Sequence, residues 1–141
     1  VQGAIGIHHI GIAVADLDAA AERYRLLIGA EVDHGADSEA LGTRALAIRT
    51  PAGPMLELVA PYAPDTPVGR FLEKRGEGMH HVAYEVADLD AEVRRLLAVG
   101  VEMIDEAPRP GLFGLQVAFI HPDAVHGVLL ELVQPGGADH G

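Results

Sequence analysis

Two segments of the chain carry adjacent histidines, His8-His9 and His80-His81, and two others carry a glutamate inside a Leu-Glu-Leu-Val run, Glu57 and Glu131. Imidazole nitrogens and carboxylate oxygens are donors for a divalent ion such as cobalt, nickel, zinc, manganese or iron. A set of two and two leaves coordination positions open for a substrate. Carboxylates in such a set can also carry protons. The four residues sit in an internal repeat. Ile7 to Ala20 (IHHIGIAVADLDAA) laid over Met79 to Glu92 (MHHVAYEVADLDAE), an offset of 72, agrees at 8 of 14 positions. Leu56 to Pro61 (LELVAP) laid over Leu130 to Pro135 (LELVQP), an offset of 74, agrees at 5 of 6. Each half of the chain therefore opens on His-His and closes on Leu-Glu-Leu-Val.

The elements around these residues decide whether they can meet. Ile10, Ile12 and Val14 alternate with Gly11 and Ala13, the period of a strand with one bulky and one small face. Asp16 then caps a helix whose apolar stripe is Leu17, Ala20, Ala21, Tyr24, Leu27 and Ile28, with Gly29 ending it. The counterpart helix starts at Asp88, carries Leu89, Val93, Leu96 and Leu97, and ends at Gly100. Further strands are expected at about 43–49, 55–60, 101–104, 115–120 and 128–134, and Thr66 to Arg75 reads as a short helix with Pro67 in its first turn. Two βαβββ modules result, about 5–62 and 77–135, in a single domain. The Gly136–Gly141 tail reads as disordered. If the helix packs on the side of Ile10 and Ile12, then His9, Gly11 and Ala13 share the other side. The same parity sets His81 with Ala83, and turns Glu57 and Glu131 away from their flanking leucines. His9, Glu57, His81 and Glu131 become a two-fold-related ligand quartet. His8 and His80 fall on the helix side as packed or hydrogen-bonded neighbours, and His34, His121, His126 and His140 have no repeat partner.

Composition narrows the chemistry. The chain has 141 residues with 21 acidic against 10 basic side chains, a formal net charge of -11, and a single lysine, Lys74. Nothing supplies the basic stripe that nucleic acid requires. With 0 cysteines, thiolate metal sites, disulfides and thiol nucleophiles are excluded, so a metal must be held by nitrogen and oxygen. Walker, dinucleotide-binding, HExxH and nucleophile-elbow motifs are absent, and Ser38 is the only serine. No apolar run reaches the roughly 20 residues of a membrane span, and the N-terminus does not resemble a signal peptide. The expectation is a soluble, cytoplasmic protein.

At these residues the chain resembles the vicinal oxygen chelate superfamily, which includes glyoxalase I, extradiol dioxygenases, fosfomycin-resistance proteins and the methylmalonyl-CoA epimerases. The segments HHIGIAVADLDAA, DTPVGRFLEKRGEGMHHVAYEV, GVEMIDEAPRPG, VAFIHP and GVLLELVQP are similar to the epimerases over nearly the whole chain. The resemblance implies two tandem βαβββ modules in a half-open mixed β-barrel, an α+β fold. It also implies a homodimer and epimerisation of methylmalonyl-CoA at C2 by 1,1-proton transfer through a metal-stabilised enolate. Cobalt is the ion it implies, held by His9, His81 and Glu131, with Glu57 at a fourth position that is glutamine in some epimerases. Glu131 and, on the second face, Glu57 are the expected proton carriers. Arg109, Phe113 and Lys74 are the expected substrate-binding residues.

Some positions depart from the family pattern. Ala45 stands where some epimerases carry a catalytic glutamate, which leaves the second base open. Leu112 and Phe113 occupy a loop that is commonly small and glycine-rich, and Asp123 replaces a lysine. The quartet also matches the ligand types of glyoxalase I, acting on a glutathione hemithioacetal, and the fold admits a non-catalytic binder of small molecules.

Overall fold

The computed structural model describes residues 2–136; the glycine-rich tail expected to be disordered lies, from Gly137 on, outside them, as does His140. The chain divides into two compact units. The first is His9–His80; the second joins the residues before His9 to those from His81 onward. The element order is β1 (Ala4–Ala13), α1 (Leu17–Ile28), β2 (Glu31–Ser38), β3 (Thr43–Arg49), β4 (Met55–Pro61), α2 (Pro67–Arg75), β5 (Gly78–Val86), α3 (Leu89–Ala98), β6 (Arg109–Pro110), β7 (Leu115–Ile120) and β8 (Leu130–Pro135). The βαβββ sequence thus occurs twice, with α2 between. Among the described residues no helix is long and apolar enough to cross a membrane.

In the first unit the strand order is β2-β3-β4-β1, antiparallel except for the parallel β4–β1 pair. In the second it is β6-β7-β8-β5, again with one parallel pair, β8–β5. The local signals explain the helices. The side chain of Asp16 accepts from Ala19 N at 3.0 Å and that of Asp88 from Ala91 N at 3.1 Å, satisfying amides that have no carbonyl partner in a first turn. Gly29 closes α1 in the left-handed conformation. Thr66 caps α2 and Pro67 occupies its first turn.

Each unit buries its helix on one face of its sheet. Ile12, Leu46, Ile48, Leu56 and Leu58 pack with Leu17, Ala20, Ala21 and Tyr24 of α1. In the second unit Ala118, Ile120 and Leu132 pack with Leu89, Val93, Leu96 and Leu97 of α3. The stripe predicted on α1 is cut short, because Leu27 and Ile28 are 66% and 52% exposed. The last turn runs past the surface that the sheet covers.

The expected strand at 101–104 is reduced to one isolated bridge, Met103 to Ile120. Beyond it the Asp105 side chain, not a backbone carbonyl, accepts from Phe119 N at 2.8 Å, so the ladder stops there. Two strands were not anticipated, β2 and the two-residue β6. The polar, glycine-containing β2 forms through its ladder with β3 and not through apolar alternation.

The second unit also holds a buried carboxylate with a structural task. Glu92 accepts from Arg95 Nη2 at 2.8 Å and from the backbone N of Gly3 at 3.1 Å, tying the N-terminal segment to α3. The hydrogen bond from Arg95 is the main reason its pKa lies below the ordinary 4.5. A depressed carboxyl pKa stabilises the fold above the unfolded value, and that contribution is lost as pH falls through the folded one. Glu92→Gln is therefore expected to cost about 1 to 2 kcal/mol at neutral pH. The cost should shrink as pH falls below about 4.5, where the unfolded chain takes up the proton, and vanish below the lower folded value, as urea titrations at neutral and acidic pH would read.

Candidate metal and proton-transfer site

The face of each sheet turned away from its helix carries the histidine and glutamate that the repeat singled out. In the first unit Gly11 lies beside Glu57 in the β1–β4 register, and His9 precedes Gly11 by one side-chain period. Imidazole and carboxylate therefore sit diagonally on one face, His9 Nε2 to Glu57 Oε2 at 3.5 Å. The second unit repeats the arrangement: Ala83 lies beside Glu131, and His81 Nε2 stands 3.2 Å from Glu131 Oε1. All four are buried, His9 to 3% exposure, His81 to 5%, and both glutamates to 6%. Small residues flank the carboxylates in register, Gly11 and Ala47 beside Glu57 and Ala83 on one side of Glu131.

Burying an ionisable pair is costly unless something repays its lost hydration. The donor set suits a divalent ion, being imidazole and carboxylate with no sulfur. The pair separations suit it too. Ligands about 2.0–2.2 Å from one ion lie roughly 2.8–3.6 Å apart in octahedral or tetrahedral geometry. The spacing within each pair is close to such an edge.

Contacts beyond the second pair are also defined. The His81 ring meets Phe119 edge-on, centroids 6.0 Å apart, and Phe119 lies opposite Glu131 in the β7–β8 register. The Arg109 guanidinium lies 5.7 Å over the Phe119 ring, while Arg109 Nε donates to Asp105 Oδ1 at 2.8 Å. Asp105 thus holds both the arginine and the backbone of Phe119. Phe113 is half-buried in a short turn at Leu112–Gly114 and adopts φ 59°, ψ 30°. That left-handed conformation costs a non-glycine residue about 1–2 kcal/mol, and such strain clusters at ligand-binding segments. Lys74 is exposed in the last turn of α2, where a cation answers the helix dipole.

Of the remaining histidines, His80 packs edge-on against Phe71 at 4.8 Å, as its parity implies. His121 lies near the surface beside Glu102 and Asp123, with Nδ1 accepting from Asp123 N. His34 is on β2, on the same face as Glu57. Without β2 in the sequence reading, that face could not be assigned to it. The Asp105–Arg109 brace has no counterpart in the sequence reading, which assigns no element to that segment.

A family model described as the Glyoxalase/Bleomycin resistance protein/Dioxygenase superfamily matches residues 8–119. The chain belongs to this superfamily, and its two βαβββ units are the modules of the vicinal oxygen chelate fold. Within it, the chain is similar to methylmalonyl-CoA epimerases. It is 38% identical over 130 residues to the ethylmalonyl-CoA/methylmalonyl-CoA epimerase of Cereibacter sphaeroides, covering 91% of this chain and 96% of that protein. It is 33% identical to the human mitochondrial methylmalonyl-CoA epimerase, covering 91% and 73%. A structure of methylmalonyl-CoA epimerase in complex with methylmalonyl-CoA and ammonium superposes with a TM-score of 0.91 at 38% identity, covering 96% of this chain and 97% of that one.

Proposed function

We propose that the chain is a metal-dependent epimerase that interconverts the two C2 epimers of methylmalonyl-CoA. The observation that carries this reading is the doubled, buried His–Glu pair in repeat-equivalent positions, His9 with Glu57 and His81 with Glu131. The similarity to enzymes named for that reaction supplies the substrate class. All four residues would hold the ion, which we take to be cobalt. A bound divalent ion supplies Lewis acidity, lowering the cost of the negative charge that develops when C2 loses its proton.

The chain's own residues supply the rest. Glu131 is the proposed base toward one face of C2, and its repeat counterpart Glu57 is the carboxylate that the repeat offers for the other. Arg109, with Nε committed to Asp105, would present its terminal N–H groups to an anionic group of the substrate. Phe113 would cover the acyl portion, and Lys74 would meet a phosphate. A net charge of -11 repels a polyphosphate at long range, so recognition must come from such local cations. The same reading takes the enzyme to be a cytoplasmic homodimer.

The test starts from a single epimer. Cobalt-loaded protein is expected to convert it to an equal mixture, followed by separation of the epimers, far faster than the spontaneous reaction. A product mixture that changes no faster than in buffer would refute the assignment.

A further inference from the structure

The register of the first unit places one more chemical group on the site face. His34 on β2 lies opposite Ala47 on β3, Ala47 lies opposite Glu57 on β4, and Glu57 lies beside Gly11 on β1. Residues facing one another across neighbouring strands share a face. The four therefore form a single row in which only the methyl group of Ala47 stands between the imidazole and the carboxylate. The adjacent row is Ala36, Ala45, Val59 and Ala13, so the surface beside Ala47 is also low. Two strand spacings put the His34 and Glu57 backbones about 9.5 Å apart, with buried Ala47 between them, Glu57 at the buried end of the row and the His34 side chain, 53% exposed, at the end open to solvent and to an arriving substrate.

His34 is also oriented as a base would be. Its Nδ1 lies 2.9 Å from Asp33 Oδ2, and Asp33 Oδ1 is held in turn by Arg49 Nη2 at 3.0 Å. A carboxylate only accepts, so Nδ1 carries the proton and Nε2 is the basic nitrogen of the neutral ring. Neighbours in a regular strand point to opposite faces. Here the register shifts between Val32 and His34, and the extra residue is Asp33. This bulge brings the Asp33 carboxylate round to the ring that follows it, a use to which bulges beside functional sites are put.

We propose that His34, oriented by Asp33, is the second proton carrier of the epimerase, taking the role that Ala45 leaves open and releasing Glu57 to act as a ligand. The inference rests on the function proposed above. His34 Nε2 takes the C2 proton as the electron pair of the C–H bond passes into the thioester carbonyl. Protonated Glu131 then returns a proton to the opposite face, and the two groups re-equilibrate with solvent. The reverse reaction runs from Glu131 to His34.

The experiment uses cobalt-loaded wild-type, His34→Gln and Asp33→Asn proteins with each epimer of methylmalonyl-CoA in heavy water, following deuterium at C2 and epimer composition separately. His34→Gln is expected to lower epimerisation by about 100-fold or more. It should keep deuterium wash-in to one epimer, the one whose proton faces Glu131, within about threefold of wild type. Asp33→Asn is expected to lower epimerisation about tenfold with the same selective exchange, because the ring survives and only its orientation is lost. Epimerisation by His34→Gln at the wild-type rate would overturn the proposal. Equal loss of exchange in both epimers would overturn it too, since that marks a binding or structural defect. A wild-type protein that neither exchanges nor epimerises would overturn the function proposed above and this inference with it, a result distinguishable because it appears before any substitution.

Discussion

Glu131→Gln is expected to lower epimerisation by about 10³- to 10⁴-fold while leaving the protein folded. The substitution keeps the side chain's volume on a strand whose neighbours are Ala83 and Phe119, so packing is preserved. It replaces the carboxyl group whose oxygen faces His81 at 3.2 Å, and with it goes the only group assigned to one face of C2. An amide can neither accept the proton nor return it. A structural role would give a different pattern, a lowered melting temperature with a modest rate change. Rate measurement beside thermal denaturation separates the two. Deuterium exchange adds a second distinction, because the epimer whose proton faces residue 131 should be the one that stops exchanging.

The second large effect concerns the ion. Cobalt at 100 times its dissociation constant should stabilise the wild-type protein by about 2.7 kcal/mol. In a chain of this length that corresponds to a rise of roughly 10 °C in melting temperature. His9→Ala is expected to abolish the rise, because His9 is the first unit's only buried imidazole on the site face and its nitrogen stands beside Glu57 Oε2. The comparison is between each protein with and without cobalt, so any packing loss at position 9 cancels. An undiminished cobalt shift in His9→Ala would remove this residue from the ligand set. The measurement does not depend on turnover, which keeps metal binding separate from catalysis.

The parts of this site that were legible in the sequence are those governed by periodicity and repetition. Two-residue alternation put His9 with Gly11 and His81 with Ala83, and the repeat turned one unremarkable Leu-Glu-Leu strand into a matched pair. Helix starts were legible because Asp16, Asp88 and Thr66 cap by short-range hydrogen bonds. What escaped depended on pairing between distant segments. β2 is polar, contains Gly35, and owes its existence to the β3 ladder, so His34 had no face until that register was known. Asp105 looked like one more acid in an acidic chain, yet it terminates the ladder at Phe119 and holds Arg109 against the same ring. Leu27 and Ile28 continued the helical stripe correctly in angle, but periodicity does not report where the supporting sheet ends.

The central claim is that metal and carboxylate together make C2 of an acyl-CoA exchangeable. Incubating the protein with methylmalonyl-CoA in heavy water, with cobalt or with a chelator, tests it most directly. The account predicts deuterium at C2 accompanied by epimerisation in the presence of cobalt, and loss of both on chelation with recovery when the ion is restored. Absence of exchange under both conditions, from a protein that instead isomerises the glutathione hemithioacetal of methylglyoxal, would contradict it.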